Sequence, residues 1–409
     1  SGTIQYYANI NKLGEESYNL LLSLDVGDII GVSGYIFRSK KGELSIRVSS
    51  FELLTKALKP LPEKYHGLQD KEVRYRQRYL DLIANNEVLD VFKKRSQIIL
   101  EIRQLLQRNQ FNEVETPVLH SIYGGAAARP FKTHHNELGQ DLYLRIALEL
   151  HHKRLIVGGM ERIFEIGRVF RNEGVSYKHN PEYTLLELYQ AYADYNDIMT
   201  LTEDLMKALV KSSTNSSEIE YQGKTLKFNG NFERITFYDA IKKYAGLSDL
   251  EDIEQLKVKA KQEGMEVNAN TRKGQLLNHI YDKCVEHNLI QPTFVIDHPW
   301  ETSPLAKRKR DNNELVERFE LIINGMEIAN AFSELNDPID QQLRFEDQLK
   351  AKEAGDEEYH QMDDDFVNSL KHGMPPTGGL GIGIDRVVML LTDSPSIRDV
   401  ILFPHMKDK

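Results

Sequence analysis

The chain has 409 residues, 40% hydrophobic and 28% charged, a composition of globular type with room for two or three domains. No apolar run is long enough to cross a bilayer, no secretory signal opens the chain, and one cysteine, Cys284, excludes an internal disulfide, so the expected compartment is the cytoplasm. With 52 basic against 62 acidic residues the net charge is −10, and any nucleic-acid partner has to be held by local basic patches.

Residues 3–10, 28–39 and 43–55 read as strands, with Lys41-Gly42 as the turn between the last two. Three strands are too few for a closed barrel. Tyr6 and Tyr7 are candidates for stacking on bases, but alternation sends neighbours to opposite faces, so at least one is expected in the core. Residues 59–80 carry Pro60 and Pro62, then an arginine- and tyrosine-rich run, and read as a linker passing into a helix. Arg74, Arg76 and Arg78 either touch RNA phosphates or lie on a solvated helix with Tyr75 and Tyr79 turned inward.

From 92 to 109, Ile98, Ile99, Ile102, Leu105 and Leu106 fall on one helical face. FNEVETPVL follows as a short strand, and Pro117, which lacks an N–H, suits an edge or interface. Gly124 and Gly125 let backbone approach a ligand. The pairs His134/His135 and His151/His152 are poor metal sites, because neighbours point apart and no cysteine cluster supports them.

The runs 164–171 and 183–191 read as a hairpin around a long polar loop, 172–182, with Arg171 at its tip. Leu186 and Leu188 share the core face; Glu187 and Tyr189 share the other, which is available either to a ligand or to solvent. A helix over 197–211 leads into residues 212–290, read as a mostly helical, peripheral insertion with an exposed loop at 212–218. Lys307 to Arg310 is a basic loop, open to reading as a solvated rim, a phosphate contact or a localisation signal.

In RFELIINGMEIANAF, Asn324-Gly325 is a type I′ turn signal that pairs Ile322 with Glu327 and Glu320 with Ala329. Glu320 and Glu327 then share a face, roughly 7–8 Å apart. Two such carboxylates repel unless a cation lies between them, and magnesium, completed by phosphates, is the expected ion. Strict alternation turns Asn330 to the opposite face. Amphipathic helices follow Asp337-Pro338 and the cap signal at 363–365. The closing GGLGIGIDRVVMLL does not open a βαβ unit, which argues against a dinucleotide fingerprint.

FRNEG, HNPEYT and ELYQAY together resemble the second signature motif of the class II aminoacyl-tRNA synthetases, in the form used by lysyl-tRNA synthetases. The helix running into the Pro117 strand is similar to the first motif, GGLGIGIDR to the third, and GGAAARPFKTHHNELGQDLYLRIALEL to the segment between the first two. IQYYANI, GDIIGVSGYIF and GELSIRVSSFELLTKALKPLP resemble the latter part of the OB-fold anticodon-binding domain, without its upstream part. Leu148, where many members carry proline or threonine, and Tyr183, where phenylalanine is usual, depart from the pattern.

The resemblance implies an α+β fold: a partial OB-fold over 1–58, the linker at 59–80, and a class II catalytic domain over 81–409, an antiparallel sheet flanked by helices. It implies a homodimer formed through the first motif, ATP, L-lysine and tRNA(Lys) as substrates, and Mg2+ as the metal. By resemblance Arg171 bridges the lysine carboxylate and the ATP α-phosphate, Glu173 reads the adenine amino group, and Tyr183 stacks on adenine. Arg386 covers the other side of the base and meets the γ-phosphate, His179 contacts the triphosphate, and Glu320 and Glu327 hold the metal. Glu334 and Tyr189, helped by Glu187, take the side-chain ammonium; Glu149 and the backbone at Gly124 or Gly125 take the α-amino group, and Asn330 the carboxylate beside the nucleotide. Two alternatives are a paralogue that lysylates a protein or lipid, and a catalytically silent RNA-binding relative. The partial OB-fold disfavours the first, and the presence of Arg171, Glu320, Glu327 and Arg386 the second.

Overall fold

The computed structural model describes residues 2–61, 68–268, 271–353 and 361–407 and divides into two units, Ser1–Val88 and Leu89–Lys409. In the first, β1 (Gln5–Tyr7), β2 (Ile29–Arg38) and β3 (Leu44–Thr55) form a sheet in the order β1-β3-β2, with β1 parallel to β3 and β2 antiparallel to it. The expected strand over 3–10 is cut short. Asn9 accepts the Asn11 N–H at 2.8 Å and caps α1 (Ile10–Leu13), and α2 (Glu15–Leu22) follows, so a helical pair stands between β1 and β2. Both Tyr6 and Tyr7 are about half exposed, so neither is core. Arg47 instead lies over the rings of Tyr7, Tyr35 and Phe37, at 5.8, 5.8 and 4.9 Å.

The centre of the expected linker, residues 62–67, lies outside the described residues. Beyond it stand two short helices, α3 (Lys71–Arg76) and α4 (Arg78–Ala84), broken at Gln77. The break removes the i, i+4 relation of the two tyrosines: Tyr75 is buried, but Tyr79 is 57% exposed. Arg78 is buried against Asp81 at 2.6 Å, and Arg74 reaches the same carboxylate at 2.7 Å, so these two arginines serve an internal ion network.

In the second unit, α5 (Asn86–Arg108) buries Ile98, Ile102 and Leu106. The expected strand after it condenses to β4 (Asn112–Glu113) and β5 (Leu119–His120), with Pro117 between them. β5 joins β6 (Lys132–His135) and β7 (Gln140–Leu144) in a small sheet, and α6 (Glu149–Val157) follows. The expected hairpin is β8 (Arg162–Phe170) and β9 (Glu182–Ala191), after which the Asp194 capping box opens α7 (Tyr195–Thr214).

Residues 212–290 are not simply a helical appendage. They hold the hairpin β10 (Glu218–Tyr221) and β11 (Lys224–Lys227), then β12 (Glu233–Thr236), α8 (Phe237–Ala245), α9 (Ile253–Gln262) and α10 (Lys273–Cys284). β12 pairs in parallel with β13 (Thr293–Pro299), and its neighbours share a core with Val295 and Ile322 of the central sheet. The remaining elements are β14 (Leu315–Ile323), β15 (Met326–Ser333), α11 (Pro338–Glu353), α12 (Asp364–Leu370), β16 (Thr377–Gly383) and α13 (Ile384–Leu391). The eight-stranded sheet runs β12-β13-β14-β15-β16-β9-β8-β4, antiparallel through its middle and parallel only in the outermost pair at each end.

One face of this sheet packs on α5, α7 and α13. Phe164, Leu186, Leu188, Phe319 and Leu380 are buried there, each contributing roughly 1.5–3 kcal/mol of transfer free energy. The opposite face carries the polar side chains of β9, β14 and β15 into a cavity.

Candidate active site

The cavity, of about 380 Å³, lies over β9, β15 and β16 and is closed by the loop after β8 and the start of α13. Its first wall follows from strand alternation: Leu186 and Leu188 enter the core, so Glu187 and Tyr189 face the cavity. The Arg171 N–H donates to Pro181 O at 2.8 Å and carries the β8–β9 ladder one step past the strands. Its guanidinium, held by Ile146 O at 3.4 Å, sits 5.5 Å from the centre of the Tyr183 ring. Glu173 and His179 line the open side of the same loop.

Arg386 enters from the first turn of α13. The preceding Asp385 is buried and accepts from Arg95 Nη1 at 2.6 Å and from the Thr184 N–H at 2.7 Å, which ties this helix to α5 and β9. Arg386 donates from Nη1 to Glu327 Oε2 at 3.3 Å and lies 3.4 Å from His179 Nε2. Partial burial, with Arg386 and Lys178 alongside, pushes His179 down to about 4, so its Nε2 accepts and its Nδ1–H donates to Ser176 Oγ at 2.8 Å.

At the other end five buried side chains converge. Glu187 accepts the Leu148 N–H at 3.0 Å and the Tyr189 hydroxyl at 2.9 Å. Leu148, the residue that departs from the family pattern, thus positions Glu187 through its backbone. Glu149 bonds the buried Lys153 at 2.6 Å; Lys153 also pairs with Glu334 Oε2. Glu334 Oε1 has no hydrogen-bond partner. It sits where a Cβ on Gly379 would fall, 1.8 Å away, so only glycine at that point of β16 leaves space for the carboxylate. Burial, with Glu187 nearby, pushes Glu149 up to about 7 against the pull of Lys153, and burial moves Glu334 and Tyr189 well up.

Along β14 and β15 the turn forms as expected, with Asn324 and Gly325 at φ 49° and 68° and Ile322 opposite Glu327. The next expected pairing is wrong. One extra residue lies between Glu327 and Ala329, so Leu321 meets Ala329 and Glu320 meets Asn330. This bulge turns Asn330 to the same side as Glu320, where strict alternation placed it on the other. Arg318, unforeseen although two residues before Glu320 on the same strand, donates to Glu320 Oε1 at 2.6 Å, Asn330 Oδ1 at 3.0 Å and Ser303 Oγ at 2.9 Å. Burial and Glu327 push Glu320 up to about 8 despite Arg318; Glu327, although burial acts in the same sense, is held low by Arg386, Arg318 and Arg171.

Of the residues expected in the site, Gly125, Glu149, Arg171, Glu173, His179, Tyr183, Glu187, Tyr189, Glu327, Asn330, Glu334 and Arg386 line this one cavity. Gly124 and Glu320 do not. A Cβ on Gly124 would meet Leu150 at 2.7 Å, so that glycine serves packing, while Gly125, at φ +88°, approaches Ala147 and Glu149. Glu320 is buried and bonded to Arg318, which does line the cavity. The basic run is tethered too: Lys309 pairs with Asp297 at 2.7 Å and Arg308 covers Trp300 at 4.2 Å. Lys153, like Arg318, is a residue the sequence reading missed. Its signal was available, four residues after Glu149 on the same helix, but a lysine is not expected to be fully buried.

A family model described as tRNA synthetases class II (D, K and N) matches residues 70–407, and one described as an OB-fold nucleic acid binding domain matches residues 1–54. Over 411 aligned positions the chain is 57% identical to the lysine-tRNA ligase of Thermoanaerobacter sp. (strain X514), covering 100% of this chain and 82% of that protein. It is 54% identical to the lysine-tRNA ligase of Staphylococcus saprophyticus subsp. saprophyticus and 53% identical to that of Staphylococcus aureus (strain MRSA252), in each case over 100% of this chain and 83% of the relative. With a catalytic-domain match over most of its length and relatives sharing more than half its residues, the chain belongs to the class II tRNA synthetases, in their lysine-tRNA ligase family.

Proposed function

We propose that this chain activates L-lysine with ATP, forming lysyl-adenylate and pyrophosphate, and passes the lysyl group to the 3′-terminal ribose of tRNA(Lys). The observation that carries the reading is the pairing, within one cavity, of a buried acidic end holding an unpartnered Glu334 oxygen with an arginine-lined end. A substrate with an ammonium side chain and an anionic co-substrate suit these two ends.

In the first step a lysine carboxylate oxygen attacks the α-phosphorus, and the bond to the pyrophosphate oxygen breaks. In the second a ribose hydroxyl attacks the activated carbonyl and AMP leaves. Both reactants of the first step are anions, so positioning and charge neutralisation dominate. Arg171 brings the carboxylate and α-phosphate together, and Tyr183 and Arg386 enclose the base, with Glu173 on its amino group. His179 and Arg386 meet the phosphates, Asn330 meets the lysine carboxylate, and Glu149, Glu187, Tyr189 and Glu334 hold its ammonium groups, with backbone at Gly125 beside the α-amino group.

Two carboxylates on neighbouring strands are hard oxygen donors, and a cation there would relieve the repulsion between Glu320 and Glu327, so the pair fits Mg2+. Among the described residues no group of three His, Cys, Asp or Glu is placed to hold a metal, and ATP phosphates are proposed as the further ligands. Bound there, the ion would neutralise phosphate charge.

The β unit matching the OB-fold description supports a nucleic-acid substrate and disfavours a protein- or lipid-lysylating paralogue. We place the homodimer contact at the first-motif region, where Leu100, Val118 and Leu119 are exposed, and the protein in the cytoplasm. No helix among the described residues is long and apolar enough to cross a membrane. The test is lysine-dependent ATP–pyrophosphate exchange followed by charging of tRNA(Lys). Exchange without charging would point to a different acceptor, and absence of both to a silent relative.

A further inference from the structure

Lys153 has no part in the reaction as described, yet it is fully buried on α6 and bonded to two carboxylates assigned above to the substrate. Burying an ammonium is unfavourable unless its charge is matched, so its place beside Glu149 and Glu334 calls for a reason. The charged and titratable groups around it are Glu149 on its own helix, Glu334 at the end of β15, and Glu187 with Tyr189 on β9. The Phe332 ring and the Leu305 carbonyl complete its surroundings and add no charge.

Three buried carboxylates therefore face one buried ammonium. Free lysine brings two more ammonium groups, while its carboxylate is taken by Arg171 in the proposed reaction. Three carboxylates then meet three ammonium groups. An amino acid with a neutral side chain brings only one, so one buried carboxylate is left either charged or obliged to take up a proton, and either outcome weakens binding.

We propose that Lys153 is a positioning residue that sets the charge of the amino-acid pocket, so that the pocket is neutral only when a substrate with two ammonium groups is bound. This rests on the proposed lysine specificity and adds a role for a residue that does not touch the reacting atoms. Glu149 and Glu334 are also held apart by it, each by a short contact to the same nitrogen. Glu187, fixed by Leu148 and Tyr189, then helps hold the substrate through its charge alone, while the two substrate ammonium groups pair directly with Glu149 and Glu334.

The test is Lys153→Met alone and combined with Glu187→Gln, assayed by lysine-dependent exchange over roughly pH 6 to 8.5. In the single variant the lysine complex has one carboxylate too many and must keep a proton on it. That protonated form is populated below the carboxylate's pKa and lost above it. The variant's kcat/KM for lysine then falls up to about tenfold per pH unit on the alkaline side, a limb the wild type lacks, and at about pH 8 is down by roughly 100-fold or more. KM for ATP stays near wild type. In the double variant the charges balance again: the amide introduced by Glu187→Gln keeps an acceptor for the Leu148 N–H and offers its own N–H to the Tyr189 oxygen. The alkaline limb should disappear and activity recover relative to the single variant.

A folded single variant with the wild-type pH profile, or a double variant no better than the single, would overturn the charge role. If the single variant does not fold, the double variant should; failure of both leaves Lys153 as mere packing. Exchange by the wild-type chain, measured alongside, reports separately on the proposed function.

Discussion

The two ends of the cavity follow opposite electrostatic plans. At the end proposed to take the nucleotide, two arginines already have internal anions: Arg318 holds Glu320 and Arg386 holds Glu327, and the Glu327 side chain is 37% exposed. At the amino-acid end every charged group is buried, carboxylates outnumber ammonium groups, and Glu334 Oε1 is unpartnered. In the proposed reaction the first end serves exchange, with phosphates and a metal replacing its internal pairs, of which Arg386–Glu327 is the one water reaches. The second is built for discrimination, because a ligand that fails to supply positive charge leaves desolvated carboxylates behind.

Arg171 stands where the two plans meet, so its removal should have the largest effect. Arg171→Ala should lower lysine-dependent exchange by on the order of 1,000-fold or more while circular dichroism and melting stay native. A folded variant with normal exchange would remove Arg171 from the reaction and break the contrast at its centre.

Glu334→Gln sharpens the contrast from the acidic side. Discrimination between lysine and norleucine should collapse by ~2–5 kcal/mol, the range for losing one partner of a buried charge pair, with ATP affinity almost unchanged. Equal losses for lysine and ATP would show that the ends are not independent. Retained preference for lysine would pass the ammonium to Glu187.

The smallest effect is expected at the exchangeable end. Replacing Glu320 and Glu327 together by Gln should raise the magnesium concentration needed for half-maximal exchange by about tenfold or more, and excess magnesium should restore much of the rate. Unchanged magnesium dependence would reduce the pair to internal partners of Arg318 and Arg386.

What could be read from the residues was local. The split of Leu186 and Leu188 from Glu187 and Tyr189 needed only the two-residue period of a strand, and the Asn324-Gly325 turn needed only its own backbone preference. The pairing of Glu320 failed because one extra residue in β15 shifts the register, and nothing in MEIANAF marks a bulge. Tyr79 failed because the helix breaks at Gln77, which carries no proline or glycine to announce it. The helical pair at residues 10–22 was missed where a β reading ran on past Asn9, a good capping residue. Lys153 stayed hidden for a different reason: its burial depends on Glu334, far away in sequence, reaching the same point through the fold. The signature motifs located the cavity, but the partners that hold its charges arise from tertiary contacts.

The register shift in β15 also determines which parity of residue serves the ligands. Before the shift the cavity-facing position is odd, Glu327; after it the positions are even, Asn330, Phe332 and Glu334. One continuous strand therefore supplies both ends of the cavity by changing phase once along its length. A strand of uniform phase could present Glu327 or Glu334 to the cavity, but not both. Loss of a single residue at that point would leave hydrophobicity and length nearly unchanged and still put half of the site into the core.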